Sequence, residues 1–178
     1  MKDQSTNRDL DSKWAALKRP FSLDEIRVKV LATTKDRSRG LIVPYIDARA
    51  VMDRLDEVAT EEGWTDRYDV LSEGAVRCQL TIFGVSKEDV GMGEDPKGAF
   101  SDALKRTAVK FGIGRHLYDC DKLWGPLDER GQISDPEEAK RRVLGLGPER
   151  SQISPPARPQ RPVKPAASQV PIHDDLPF

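Results

Sequence analysis

The sequence predicts an α+β fold in which an antiparallel β-β-β-α unit forms the core and a further helix precedes the sheet. Three runs with strand-like patterns, separated by short turns, predict consecutive strands over 64–71, 75–83 and 88–92. A helix over 97–111 follows the third strand. Because a three-stranded sheet needs helical cover for its apolar face, we expect this helix and one over 46–62 to pack on it.

The helix over 97–111 has the clearest boundary signals in the chain. Asp95 can cap its N-terminus, Pro96 suits the first helical position, and Gly112 supplies a stop. One face is apolar: Phe100, Ala103, Leu104, Thr107, Ala108 and Phe111. The other face carries four cations opposed by Asp102: Lys97, Lys105, Arg106 and Lys110. This pattern indicates either a phosphate-binding face or the solvated side of an ordinary core helix.

The chain before the sheet predicts a short docking helix over 8–18, two strands and the helix over 46–62. Residues 26–31 alternate between apolar and basic and predict a strand, while 41–45 form a short apolar strand. The polar loop between these strands, 33–40, carries three basic residues without apolar neighbours: Lys35, Arg37 and Arg39. They indicate either a solvated tip or a tip that contacts phosphate.

The signals weaken after Tyr118, and we divide the chain there on composition. Residues 8–125 are predicted to form the core domain, and 126–147 a short helical extension whose helix begins at Asp135. From Pro148 onward, eight of the 31 residues are proline and apolar periodicity is lost. Residues 148–178 are therefore predicted to be a disordered linker with an acidic-aromatic tip.

Charge is unevenly distributed along a chain whose net charge is only -1. Residues 1–40 hold ten Lys and Arg against six Asp and Glu, residues 46–95 hold five against thirteen, and residues 96–119 hold five against two. Such segregation permits a basic groove beside an acidic surface. Two cysteines, no signal-peptide pattern and no long apolar run lead us to expect a cytoplasmic protein.

Enzymatic chemistry has no visible centre in this sequence. Gly93 and Gly98 have the spacing of a phosphate-binding loop, but Ala99 and Phe100 follow where that motif needs Lys and Ser or Thr. The cysteines and histidines lack the spacing of a metal site. We therefore expect no enzyme activity, no cofactor and no metal, which leaves binding as the function class.

Four blocks in order resemble the signature blocks of the Rad52 family of single-strand annealing proteins, in its bacterial DNA-damage-response (DdrA-like) branch. They are Tyr-Ile-Asp-Ala-Arg-Ala-Val from Tyr45, Gly63-Trp64, Glu-Asp-Val-Gly-Met-Gly from Glu88, and Ser-Asp-Ala-Leu-Lys-Arg-Thr-Ala-Val-Lys-Phe-Gly from Ser101. The resemblance covers about residues 10–120. It implies ATP-independent binding and annealing of single-stranded DNA in recombinational repair, by a ring of subunits with a basic groove, in the cytoplasm and associated with the nucleoid.

The resemblance also implies which residues bind the strand. Lys105 and Arg106 match the family's paired basic positions, which contact the DNA backbone. A further family arginine aligns with Ala50, and Arg49 is its neighbour here. Five further contacts are expected from their charge and position and not from a match to the family: Lys35, Arg37, Arg39, Lys97 and Lys110. The alternative function is an adaptor that protects DNA ends and gathers repair proteins without annealing.

The C-terminal tip resembles that of bacterial single-stranded-DNA-binding proteins. It consists of Asp174, Asp175, Leu176, Pro177 and Phe178. This resemblance implies that the tip binds repair proteins that read such tails, or folds back on the chain's own basic groove. A chance acidic end is the remaining interpretation.

Overall fold

The computed structural model describes residues 3–146, and the predicted linker and tip lie outside this range. The helices are α1 (Asp3–Leu17), α2 (Ala48–Ala59), α3 (Pro96–Phe111) and α4 (Pro136–Val143), and a 3-10 turn covers Arg115–Tyr118. The strands are β1 (Arg27–Thr33), β2 (Arg39–Tyr45), β3 (Trp64–Ser72), β4 (Ala75–Ile82), β5 (Val85–Met92) and β6 (Leu123–Pro126). No helix in the described range is long and apolar enough to span a membrane.

The strands form two antiparallel sheets of three strands each. The first has the order β1-β2-β6 and the second the order β3-β4-β5, which α3 follows in the chain. The predicted α+β class and the β-β-β-α unit are thereby confirmed. Two strands of the first sheet were predicted, but β6 was not, because it is only four residues long and pairs with β2 across about 80 residues of chain.

The main core lies between the second sheet and the helices. Every second residue of β4 points inward and is buried: Val76, Cys78, Leu80 and Ile82. The covering face of α3 is buried as predicted, except that Phe100 is partly exposed and packs on Tyr68 with ring centroids 4.9 Å apart. Trp14 of α1 joins this core, stacked on Phe111 at 6.0 Å. The burial of these large side chains is the main stabilisation of the fold.

A smaller core holds α4 against the first sheet. Ile42, Ala139 and Val143 are buried together there. Asp135 caps α4 by accepting a hydrogen bond from the Glu138 N–H at 2.9 Å, as its position before Pro136 predicts. The predicted boundary at 125/126 stays a prediction, and β6 spans it.

The strands β2 and β5 begin earlier than predicted. Residues 83–87 were predicted as a turn, but Phe83 and Gly84 alone make it, with φ values of 49° and 79°, so that β5 begins at Val85. Positive φ angles at two successive residues are typical of the two-residue hairpin turn, whose backbone twist matches the right-handed twist of the two strands that it joins. Arg39 was predicted in a loop, but it begins β2 and donates a hydrogen bond to the Trp124 carbonyl at 2.6 Å.

The glycines before α3 permit a close approach of helix and strand. A Cβ atom on Gly91 of β5 would lie 2.0 Å from the Ala103 nitrogen, and one on Gly93 would lie 2.4 Å from the Ala99 nitrogen. The backbone of α3 therefore occupies the space in front of both glycines. This packing accounts for the glycine-rich segment that resembled half of a phosphate-binding loop.

Gly91→Ala is therefore expected to destabilise the protein by about 2–4 kcal/mol, because the helix must move away from the sheet. The measurement is urea unfolding followed by circular dichroism. Gly98→Ala is the matched control: its Cβ would have no neighbour closer than 3.7 Å, and alanine favours a helix by up to about 1 kcal/mol. Equal stability of the two variants would contradict the close-approach explanation.

Candidate nucleic-acid interface

The helix α3 holds Lys105 and Arg106 on a fixed base. Asp95 accepts a hydrogen bond from the Gly98 N–H at 2.8 Å at the start of α3, and Gly112 ends it in the left-handed conformation. Buried residues Leu104 and Thr107 flank the pair on either side along the chain. Consecutive residues of a helix point about 100° apart, so Lys105 and Arg106 leave the helix toward different neighbours.

Lys105 and Arg106 line a groove of about 410 Å³ where α3 meets the end of the first sheet and the 3-10 turn. The groove contains four cations from separate parts of the chain: Lys29, Lys105, Arg106 and Lys122. Asp102 and Asp121 are its two carboxylates. Tyr45, Tyr118 and aliphatic side chains, including Leu31 and Val109, complete the lining. This is a partly apolar channel with excess positive charge, as a strand of nucleic acid requires.

Two of these cations lie near the Tyr45 ring. The Lys29 Nζ is 5.5 Å and the Lys105 Nζ 5.9 Å from its centroid, within the range of cation–π attraction. Burial lowers the pKa of Lys105, and the charge of Lys29 lowers it further, against the opposite effects of Asp102 and Asp47. Two like charges are therefore held close together, and a phosphate anion between them would relieve their repulsion.

Arg106 and Lys110 share a carboxylate on the neighbouring strand. The Asp89 oxygens lie 3.5 Å from the Arg106 Nε and 3.1 Å from the Lys110 Nζ. Burial opposes ionisation of Asp89, but hydrogen bonds from the Val90 N–H and Lys110 and the nearby charges leave its pKa lowered. Within α3 itself Asp102 is the one acidic residue beside these cations, and Asp89 is contributed by β5.

The other residues predicted to bind DNA do not line this groove. Lys110 donates a hydrogen bond to the Glu88 carbonyl, and Lys97 is exposed in the first turn of α3, about 12 Å along the helix from Lys105. Arg49 is exposed near the start of α2. Lys35 and Arg37 are at the tip between β1 and β2, about 20 Å along β1 from Lys29.

The hairpin tip belongs to a second, smaller pocket. Arg37 lies there with Asp36, Asp128, Glu129 and Arg130. Three carboxylates accompany two arginines, so this pocket has no excess of positive charge. Arg39 is held by the Trp124 carbonyl and does not line it. Of the eight predicted DNA contacts, Lys105 and Arg106 are thus the two that the structure brings into the cationic groove.

Lys29, Tyr45, Tyr118 and Lys122 were not predicted as site residues. Lys29 had a signal, because it alternates with the partly buried Val28 and Val30 of β1 and must face away from them. Tyr118 and Lys122 follow α3 in a region with little periodicity. Only the return of the chain after Gly112 and Gly114, both with positive φ, places them beside α3.

Metal binding has no support in the described residues, where no three His, Cys, Asp or Glu side chains are grouped suitably. The His116 nitrogens are buried, its ring is 6.2 Å from that of Phe21, and burial lowers its pKa. The Cys120 thiol lies 3.6 Å from the His116 carbonyl oxygen rather than at the imidazole.

The family model for Rad52/22 family double-strand break repair proteins matches residues 10–132. The chain belongs to this family. It is also similar to the single-stranded DNA-binding protein DdrA of Deinococcus deserti, with 44% identity over 133 residues, and to that of Deinococcus radiodurans, with 41% identity over 133 residues. These alignments cover 68% of this chain, and 65% and 62% of the two relatives.

The family assignment confirms the resemblance drawn from the sequence blocks. Residues 10–132 include all six strands and both residues of the Lys105–Arg106 pair. The chain spans slightly less than two thirds of the length of the Deinococcus relatives. The relatives are named for binding DNA and not for an enzymatic reaction.

The charge coupling in the groove predicts opposite effects of two substitutions on Lys105. Lys29→Met removes a like charge and should raise the pKa of Lys105, whereas Asp102→Asn removes a favourable charge and should lower it. NMR titration of the Lys105 amine measures both. Because burial is the largest cause, the pKa should stay below that of free lysine in the Lys29→Met protein. Shifts in the same direction, or none, would contradict this geometry.

Proposed function

We propose that this Rad52-family chain binds single-stranded DNA by its phosphate backbone in the cationic groove and anneals complementary strands without ATP, in recombinational repair. The observation that carries the proposal is the convergence of Lys29, Lys105, Arg106 and Lys122 in one groove. The names of the Deinococcus relatives support the ligand. Lysine and arginine hold phosphates by releasing counterions and read no sequence, which suits a protein that must accept any strand.

Annealing requires phosphates to be held while base edges stay free to find a complement. Cations on a rigid helix and strand can hold the DNA backbone from one side. The hydrogen-bonding edges of the bases then stay accessible to a complementary strand. Nucleotide hydrolysis has no place in this mechanism, because α3 fills the space beside Gly91 and Gly93 where phosphates would need to lie. We therefore propose a binding protein and not an enzyme.

Assembly into a ring is part of the proposal. Val70, Leu71 and Met92 are exposed and lie at the same end of the second sheet, where Ala75 pairs with both Ser72 and Met92. Exposed apolar patches of this kind mark surfaces that contact other proteins. A second subunit on this surface would bring further grooves into one assembly, and many weak sites on one strand give high avidity. The expected nucleoid association and the repair-protein contacts of residues 174–178 stay predictions.

Lys105→Ala and Arg106→Ala should each weaken binding of an oligo(dT) strand about tenfold or more, and reduce the dependence of log K on log salt by roughly one unit per cation. The measurement is fluorescence anisotropy over a range of salt concentrations. Lys97→Ala removes the same charge from the same helix outside the groove, and should change the affinity less than about threefold. Equal effects at Lys97 and Lys105 would contradict the site.

The same samples distinguish annealing from mere protection of DNA. The wild type should accelerate the pairing of complementary oligonucleotides coated with single-strand-binding protein, and the groove variants should not. Binding without acceleration would favour the adaptor function. Light scattering tests the ring. A protein mass of one chain, 19.9 kDa, both in the absence of DNA and in the complex with DNA would contradict assembly.

A further inference from the structure

Tyr118 is the only aromatic residue that is exposed among residues 8–146. Its side chain is 71% exposed although it lines the cationic groove. Leu31 of β1 lines the same groove and is 58% exposed. The main core does not include either residue. An aromatic ring left in water beside four cations loses the benefit of burial, so a ligand that covers it gains that benefit.

The backbone that carries Tyr118 is firmly held. Leu117 is buried, and the His116 ring packs against Phe21. Arg115 donates hydrogen bonds from its guanidinium to the Val109 carbonyl at 2.7 Å and the Lys110 carbonyl at 3.0 Å, which ties the turn to the end of α3. Because the backbone beneath the ring is already ordered, binding has to restrict only the torsions of the Tyr118 side chain itself.

The chemistry of the groove specifies what would cover the ring. The cations account for the binding of phosphates, but they do not account for the exposed apolar surface in the same groove. A single strand supplies both kinds of group, because every nucleotide has one phosphate and one planar base. Stacking involves the face of the base and is tolerant of sequence. It leaves the hydrogen-bonding edge free, so it is compatible with annealing.

We propose that Tyr118, together with Leu31, forms a base-stacking platform in the groove, on which one nucleobase of a bound single strand rests. The inference rests on the proposed function, since it assigns a second kind of contact to the same site. The cations determine how binding depends on salt, and the platform distinguishes a strand with bases from a bare sugar-phosphate chain.

The test compares two probes of equal length: oligo(dT), and an abasic strand with the same phosphates. Tyr118→Ala should weaken binding of oligo(dT) about 5- to 50-fold, while Tyr118→Phe and Tyr118→Trp should stay within about twofold of the wild type or bind more tightly. The abasic strand should bind to all four proteins equally. Leu146→Ala removes an exposed apolar side chain outside the groove and serves as the control.

The salt dependence gives a readout that a merely structural role would not produce. Tyr118→Ala should leave the slope of log K against log salt unchanged, because no phosphate contact is lost. If Tyr118→Ala weakens the binding of oligo(dT) and of the abasic strand equally, or weakens neither, the platform is overturned. If Lys105→Ala weakens both strands while Tyr118→Ala weakens neither, only the platform is wrong. If the wild type binds neither strand, the proposed function itself fails.

Discussion

The close approach of α3 to β5 at Gly91 is the constraint on which the rest of the site depends. With only a hydrogen at this position, the helix backbone at Ala103 lies directly on the strand. Two residues later the same helix presents Lys105 toward Tyr45 and Lys29 of the first sheet. A larger residue at 91 would push the helix outward and change the width of the groove. A packing requirement thus determines where the charges are.

The groove combines elements that are far apart in sequence, and this determines its electrostatics. Lys29 comes from β1, Lys105 and Arg106 from α3, and Lys122 from the segment after the 3-10 turn. Burial lowers the pKa of Lys105 and the charge of Lys29 lowers it further, so repulsion between these two amines is present before any ligand binds. Asp89 offsets part of the charge at Arg106. The fold therefore maintains a local excess of positive charge in a chain whose net charge is -1.

Local patterns predicted the elements whose signals lie within a few residues. Asp95, Pro96 and Gly112 marked α3 nearly to the residue, and the alternation in β4 identified its buried face. Lys105 and Arg106 were found because they belong to a block with a family resemblance. Lys29 and Tyr118 were not, since nothing near them in sequence indicates that β1 and the 3-10 turn meet at α3. For Arg37 the sequence shows the neighbouring Asp36, but Asp128 and Glu129, which line the same pocket, are far away in the chain.

The most direct test of this account is photochemical cross-linking of the wild-type protein to a 4-thiothymidine oligonucleotide, with the attached peptides identified by mass spectrometry. The cationic groove predicts cross-links to peptides that contain Tyr45 and Tyr118, which lie on opposite sides of Lys105 in the chain. Competition by excess unlabelled strand should remove both. Cross-links confined to the hairpin tip around Arg37 and the adjoining loop around Arg130 would contradict the account and place the strand at the other end of the first sheet.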